Sequence, residues 1–149
     1  MRQHFILFLL ILGLLSCGSA TDTESTASSQ ESDLKDEQIS EDGVQFVDSR
    51  EAEILIREQG SLIVLDVRTQ DEYDKGHIQN ALMIDFNSPD FSKHLQALDP
   101  DKTYLVYCAV GGRSSKAAVL MGKTGFKKVY GVSEGYSELK EAGVPVSEP

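Results

Sequence analysis

The sequence predicts an α/β fold with a central, mostly parallel sheet of about five strands and helices on both faces. The first observation is that short apolar runs alternate with segments of helical pattern from Val44 onward. The second is residues 62–67 (LIVLDV), a nearly continuous apolar run typical of strands buried on both faces of a parallel sheet. Ligands of such sheets bind beyond the carboxyl ends of the strands. A functional site is therefore expected just after one of the strands.

Five segments rich in apolar and β-branched residues are the predicted strands. They are residues 44–48 (VQFVD), 62–67 (LIVLDV), 81–85 (ALMID), 103–108 (TYLVYC) and 127–131 (KKVYG). The predicted helices are residues 49–60, 69–75, 88–98, 113–125 and 133–143. One helix follows each strand, which is the order that parallel strands require.

Each predicted helix carries a start or stop signal. Ser49 is predicted to cap the first helix and Thr69 the second, each through its side-chain oxygen. Pro89 lies in the first turn of the third helix, where proline is tolerated. Glycine residues mark four of the helix ends: Gly60, Gly76, Gly125 and Gly143.

Residues 1–16 have the pattern of an export signal. Arg2 precedes an apolar run over residues 5–15, which is too short for a comfortable membrane span and fits the core of a signal peptide. The run ends in LLSC, which resembles the lipobox of bacterial lipoproteins. The resemblance implies cleavage before Cys17, acylation of that residue, and a lipoprotein of the cell envelope, anchored on the periplasmic side of the inner or outer membrane. The alternatives are an ordinary signal peptide cut nearby and an anchor that stays uncut.

Residues 17–42 are predicted to form a disordered tether after the acylated cysteine. They are rich in Ser, Thr, Asp and Glu and contain little that could be buried. They hold eight acidic residues and one lysine, so much of the formal net charge of −10 lies here. That acidic balance argues against nucleic acid as a partner, because phosphate binding requires clustered Lys and Arg. The sequence identifies no protein partner.

The chain has two cysteines, and the fate of Cys17 decides the chemistry open to Cys108. An acylated Cys17 cannot form a disulfide, so Cys108 is then the single free thiol of an exported chain. No second thiol would remain to resolve it, which excludes a thioredoxin-like dithiol mechanism within one chain.

Residues 104–120 (YLVYCAVGGRSSKAAVL) place Cys108 between a strand, a glycine-rich turn and a helix. The thiolate is the reactive form of cysteine, and the free N–H groups of a helix N-terminus or tight loop favour an anion. Gly111 and Gly112 leave such a nest unobstructed and can take left-handed backbone angles, and Arg113 adds a positive charge. The pattern predicts a site that holds a sulfur anion or an oxyanion. The alternative is a buried cysteine that packs as a small hydrophobic residue.

Three segments together resemble a single-domain rhodanese. They are residues 65–86 (LDVRTQDEYDKGHIQNALMIDF), 104–118 (YLVYCAVGGRSSKAA) and 135–146 (GYSELKEAGVPV). The resemblance covers essentially the whole predicted domain, residues 43–149, and implies a rhodanese-like three-layer sandwich.

The resemblance also implies a sulfurtransferase with Cys108 as its nucleophile. A small sulfur anion such as thiosulfate would donate a sulfane sulfur, Cys108 would carry it as a persulfide, and a thiol or cyanide would accept it. The implied substrate-binding residues are those of the loop after the cysteine: Ala109, Val110, Gly111, Gly112, Arg113 and Ser114. The Arg113 side chain would contact the donor or, alternatively, form a structural salt bridge. No metal and no organic cofactor is implied.

Four polar residues before the loop are interpreted as structural support. Asp66, Arg68 and Glu72 are predicted to form one charge and hydrogen-bond network that fixes the turn after the second strand. His77 is predicted to fix a loop by a hydrogen bond. Tyr107 is taken as an ordinary strand residue.

Two other functions stay open. One is a binding or sensor module that holds a persulfide without turnover, and the other is a phosphatase-like hydrolase. Four residues separate Cys108 from Arg113, whereas the phosphatases and arsenate reductases of the same fold have one more, so the loop length favours a sulfur substrate. Val110 stands where many rhodaneses have a polar residue, which is expected to affect donor preference.

Overall fold

The computed structural model describes residues 43–149; the predicted signal peptide, the acidic tether and Cys17 lie outside them. The strands of the described chain are β1 (Val44–Val47), β2 (Ile63–Asp66), β3 (His77–Ile78), β4 (Leu82–Met83), β5 (Thr103–Cys108), β6 (Lys128–Gly135) and β7 (Val146–Ser147). Its helices are α1 (Ser49–Glu58), α2 (Gln70–Asp74), α3 (Phe91–Gln96), α4 (Gly112–Lys123) and α5 (Tyr136–Glu141).

The main sheet has five strands in the order β1-β6-β5-β2-β4, and all neighbouring strands in it run parallel. The strands β3 and β7 form a separate antiparallel pair. This arrangement confirms the predicted α/β fold class. It also makes β5 the central strand, and Cys108 is the last residue of β5.

Side chains of β5 alternate between two buried clusters, one on each face of the sheet. Cys108 belongs to the cluster that includes Met121 of α4. Tyr107 belongs to the other, which includes Ala52 of α1 and Leu139 of α5. Burying a large apolar side chain stabilises the fold by about 1.5–3 kcal/mol. The two clusters therefore hold helices on both faces and fix the strand that ends at the cysteine.

The cap of α1 differs from the prediction, because Asp48 and not Ser49 is the N-cap. The Asp48 carboxylate accepts a hydrogen bond from the Glu51 N–H at 2.8 Å, and the Glu51 carboxylate accepts one from the Asp48 N–H at 2.9 Å. This reciprocal capping box needs an acidic residue three positions after the cap, which Asp48 has and Ser49 lacks. Thr69 caps α2 as predicted, with Glu72 as the matching residue.

Three boundaries differ from the prediction by more than two residues. The strand β6 continues to Gly135 instead of ending at Gly131, because an irregularity in its pairing with β5 lets Gly135 lie opposite Cys108. The helix α5 consequently begins at Tyr136, and α3 begins at Phe91, after a turn that contains Pro89. The β3–β7 pair was not predicted, since strands of two residues carry no readable alternation.

Within residues 43–149, no helix has the length and apolar character needed to cross a membrane.

Candidate active site

Cys108 lies at the junction of β5 and α4, with only residues 109–111 between the two elements. Its side chain is fully buried and is a free thiol within residues 43–149. Gly111 is the N-cap of α4, and that helix therefore begins directly beside the cysteine. The N-terminus of a helix presents unpaired N–H groups and positive potential, both of which favour a sulfur anion.

The surroundings of Cys108 stabilise its thiolate. Burial raises the pKa of the thiol, but hydrogen bonds to the sulfur from the Ser114 hydroxyl and from the backbone N–H groups of Ser114, Val110 and Arg113 outweigh it. The resulting pKa lies below the ordinary cysteine value. The lowering comes from dipoles of the loop itself, as in a preorganised anion nest.

The Ser114 hydroxyl lies within hydrogen-bond distance of the Cys108 sulfur. Its Oγ lies 3.4 Å from Cys108 Sγ and 2.8 Å from the carbonyl oxygens of both Gly111 and Val132. A hydroxyl has one proton to donate, so these three acceptors compete for it once the thiol is ionised. Ionisation of the sulfur therefore competes with the hydrogen bonds that the Ser114 hydroxyl donates to the loop and to β6.

Two close backbone approaches hold the loop against β6. Gly111 has a φ of +83°, and a Cβ there would lie 2.0 Å from the carbonyl oxygen of Ser133. A Cβ on Gly135 would lie 1.8 Å from the carbonyl oxygen of Ala109. Only glycine fits at these two positions. Gly112 has no such requirement, since a Cβ there would meet no atom within 4 Å.

Arg113 forms an ion pair with Glu72, which is the second of the two roles foreseen for it. Nη1 donates to Glu72 Oε2 at 2.8 Å, and Nη2 donates to Oε1 at 2.7 Å. Glu72 Oε2 also accepts hydrogen bonds from the N–H and the hydroxyl of Thr69. The hydrogen bond from Arg113 is the main reason that the pKa of Glu72 falls to about 2. The pair therefore joins α2 to the first turn of α4.

Asp66 and Arg68 form a separate buried pair, so the predicted single network with Glu72 is wrong. Arg68 Nη2 donates to Asp66 Oδ2 at 2.7 Å and to the carbonyl oxygen of Gly76 at the same distance. Glu72 is partly buried, and Thr69 and Arg113 satisfy its carboxylate instead. The pair is a structural element of the turn after β2.

Tyr107 completes this buried pair, and the sequence reasoning missed it. Its hydroxyl donates to Asp66 Oδ2 at 2.5 Å and accepts a hydrogen bond from the Ile78 N–H at 3.1 Å. Burial and the nearby Asp66 carboxylate raise the pKa of Tyr107 far above the ordinary tyrosine value. The usable signal was a tyrosine inside an apolar strand, because a buried phenol needs a hydrogen-bond partner.

The remaining two predicted residues lie at the edges of the site. His77 Nδ1 is 3.0 Å from the carbonyl oxygen of Tyr73, and the two rings stack with centroids 3.7 Å apart. Val110 is 81% exposed, so the outermost side chain of the cysteine loop is apolar. Within residues 43–149, His, Cys, Asp and Glu side chains form no group of three that could hold a metal ion.

Replacing Ser114 by alanine should raise the pKa of Cys108, since burial persists while a hydrogen bond to the thiolate is lost. The pH midpoint of Cys108 alkylation by iodoacetamide should then move upward, with slower alkylation at neutral pH and an unchanged rate at high pH. Ser115→Ala is the matched control, because Ser115 Oγ donates to the Gly111 carbonyl at 2.7 Å. An unchanged midpoint in Ser114→Ala would show that the hydroxyl does not act on the sulfur.

The fold and the loop together define an α/β domain with a buried cysteine at the carboxyl edge of its sheet. The loop after this cysteine stabilises its thiolate form. The chain belongs to the Rhodanese-like domain family, whose model matches residues 50–142. This match confirms the family resemblance seen in the sequence.

The proteins that this chain resembles are named for different activities. The thiosulfate sulfurtransferase GlpE of Coxiella burnetii is 34% identical over 79 residues, which are 53% of this chain and 72% of GlpE. The tRNA uridine(34) hydroxylase of Escherichia coli is 32% identical over 111 residues, which are 68% of this chain and 31% of the hydroxylase. In fold, the Rhodanese-like domain of the Anabaena Alr3790 protein matches with a TM-score of 0.62 at 24% identity, over 69% of this chain and 78% of that one.

Proposed function

We propose that this protein is a sulfurtransferase that carries sulfane sulfur as a persulfide on Cys108. The observation that carries the proposal is the buried Cys108 sulfur, which lies beside the N-terminus of α4 with the Ser114 hydroxyl oxygen 3.4 Å away. That hydroxyl and the backbone N–H groups of Ser114, Val110 and Arg113 are the donors that lower the pKa of the thiol. These donors suit a thiolate and, after the first step, a persulfide anion. The similarity to GlpE, a thiosulfate sulfurtransferase, supports the same reaction class.

The reaction has two displacement steps. The Cys108 thiolate attacks the outer sulfur of a donor such as thiosulfate, the new S–S bond to Cys108 forms, and sulfite leaves with the electron pair of the broken bond. Cyanide or a thiolate then attacks the outer sulfur of the persulfide. With cyanide, thiocyanate forms and the Cys108 thiolate leaves with the electron pair. Both steps conserve charge and need no metal, oxidant or reductant.

A turnover assay separates this activity from the two alternatives. The full chain should form thiocyanate from thiosulfate and cyanide, with ping-pong kinetics, and should not hydrolyse p-nitrophenyl phosphate. Phosphate release without thiocyanate would favour the hydrolase. A single stoichiometric transfer without turnover would favour the persulfide-holding module and would refute the enzyme.

We also propose that the domain acts at a membrane of the cell envelope, held by lipid on Cys17. The lipobox-like LLSC and the acidic tether over residues 18–42 support this location. A fatty-acid probe should label the protein in bacterial cells, and Cys17→Ala should abolish the label. An unlabelled unmodified protein would refute the anchor and leave the sulfurtransferase proposal intact.

A further inference from the structure

Arg113 is the positively charged residue of the loop after Cys108, and the Glu72 carboxylate binds both terminal nitrogens of its guanidinium group. Nη1 and Nη2 each donate to one carboxylate oxygen, at 2.8 and 2.7 Å. Bidentate contacts of this kind fix the geometry of both partners. Glu72 is held in turn by the Thr69 N–H at 3.0 Å and the Thr69 hydroxyl at 2.9 Å. The pair is therefore close to neutral and is anchored to the start of α2.

Negative groups outnumber the single charge of Arg113 in its surroundings. In addition to Glu72, the Cys108 thiolate and the Asp85 carboxylate interact with Arg113 electrostatically. An incoming donor with two negative charges must compete with Glu72 for the guanidinium group. A donor with one negative charge loses less binding energy when Glu72 occupies the guanidinium group, because the Coulomb energy of a contact with Arg113 scales with the charge of the donor.

The most exposed side chain of the loop after Cys108 is apolar. Val110 is 81% exposed and offers only apolar surface beside the cysteine. Such a surface accommodates an organic substituent better than a charged sulfonate oxygen, which loses water without gaining a hydrogen bond. The negative charges around Arg113 and the apolar surface of Val110 therefore both favour a donor that has one negative charge and an organic substituent.

We propose that Glu72, through its pairing with Arg113, directs this site toward organic sulfane-sulfur donors with one negative charge, such as thiosulfonates and small persulfides, and away from dianionic thiosulfate. The proposal rests on the sulfurtransferase activity proposed above. With methanethiosulfonate, the Cys108 thiolate would take the outer sulfur as its S–S bond forms. Methanesulfinate would leave with the electron pair of the broken sulfur–sulfur bond.

The test compares kcat/KM for methanethiosulfonate and for thiosulfate, two donors that break the same type of bond but differ by one charge. Glu72→Gln keeps a residue that suits the capping box and removes the negative charge. It should lower the preference for methanethiosulfonate about tenfold, mainly through a lower KM for thiosulfate. Glu72→Gln combined with Arg113→Gln removes both charges and should restore the preference of the unmodified protein.

Glu53→Gln is the matched control, since Glu53 forms an ion pair with the exposed Arg57 on α1 at 2.6 Å. This substitution changes the net charge of the protein by the same amount as Glu72→Gln. An unchanged donor preference in Glu72→Gln, with turnover intact, would overturn the inference and leave the sulfurtransferase proposal standing. Failure of the unmodified protein to turn over either donor would instead refute that underlying proposal.

A measurement without any variant tests the same inference. Sulfate and methanesulfonate resemble the two donors but cannot transfer sulfur. As competitive inhibitors of the unmodified full chain, methanesulfonate should bind at least as tightly as sulfate, despite its smaller charge. Clearly tighter binding of sulfate would show that Arg113 remains available to a dianion and would overturn the inference.

Discussion

Cys108→Ser should reduce thiocyanate formation by at least about 1,000-fold while the domain stays folded. A serine hydroxyl is scarcely ionised at neutral pH and cannot carry the transferred sulfur as a persulfide. The fold should persist because serine is slightly smaller than cysteine and its hydroxyl can use the N–H donors that surround the sulfur. Turnover is measured as thiocyanate release, and folding as the circular dichroism spectrum and the urea midpoint.

The control for this prediction is Cys17→Ser, which removes the other of the two cysteines and should leave turnover unchanged in detergent solution. Loss of turnover in both variants would point to a general effect of cysteine removal. Thiocyanate formation retained by Cys108→Ser would contradict the persulfide mechanism.

Arg68→Met should lower the free energy of unfolding by about 3–5 kcal/mol, because it leaves a buried carboxylate without its cationic partner. The Asp66 side chain is fully buried and that of Arg68 is 5% exposed. The substitution also removes the hydrogen bond from Arg68 to the Gly76 carbonyl. It removes in addition the contact of the guanidinium carbon with the Tyr136 ring, whose centroid lies 4.4 Å away. Urea denaturation measures the change.

Arg57→Met is the matched control for this effect. Its side chain is 58% exposed, and its ion pairs with Glu53 and Glu58 lie on the surface of α1. Exposed pairs contribute about 0–1 kcal/mol, so this variant should lose little stability. Equal losses in the two variants would contradict the role assigned to the buried pair.

The sequence carried enough information to predict the fold class and the position of the cysteine. Strand and helix patterns are local, and β5 and α4 each have a clear one. The cap at Thr69 was also predictable, because Thr69 and Glu72 are close in sequence. Asp48 could have been chosen over Ser49 by the same reasoning, since Glu51 stands three residues later.

The contacts that organise the site were not predictable, because they join residues distant in sequence. The Tyr107 hydroxyl meets Asp66 across 41 positions, and Arg113 meets Glu72 across the same separation. Both contacts depend on how neighbouring strands and helices are placed. The requirement for glycine at Gly135 is similar, since it exists only because β6 brings that residue against the Ala109 carbonyl.

The most direct test of the proposed function is the intact mass of the full chain after incubation with a sulfane-sulfur donor, thiosulfate or methanethiosulfonate. The persulfide mechanism predicts a gain of one sulfur atom that is lost on addition of cyanide and absent in Cys108→Ser. No gain from either donor, with Cys108 present as a free and unoxidised thiol, would contradict the claim that this cysteine carries sulfur.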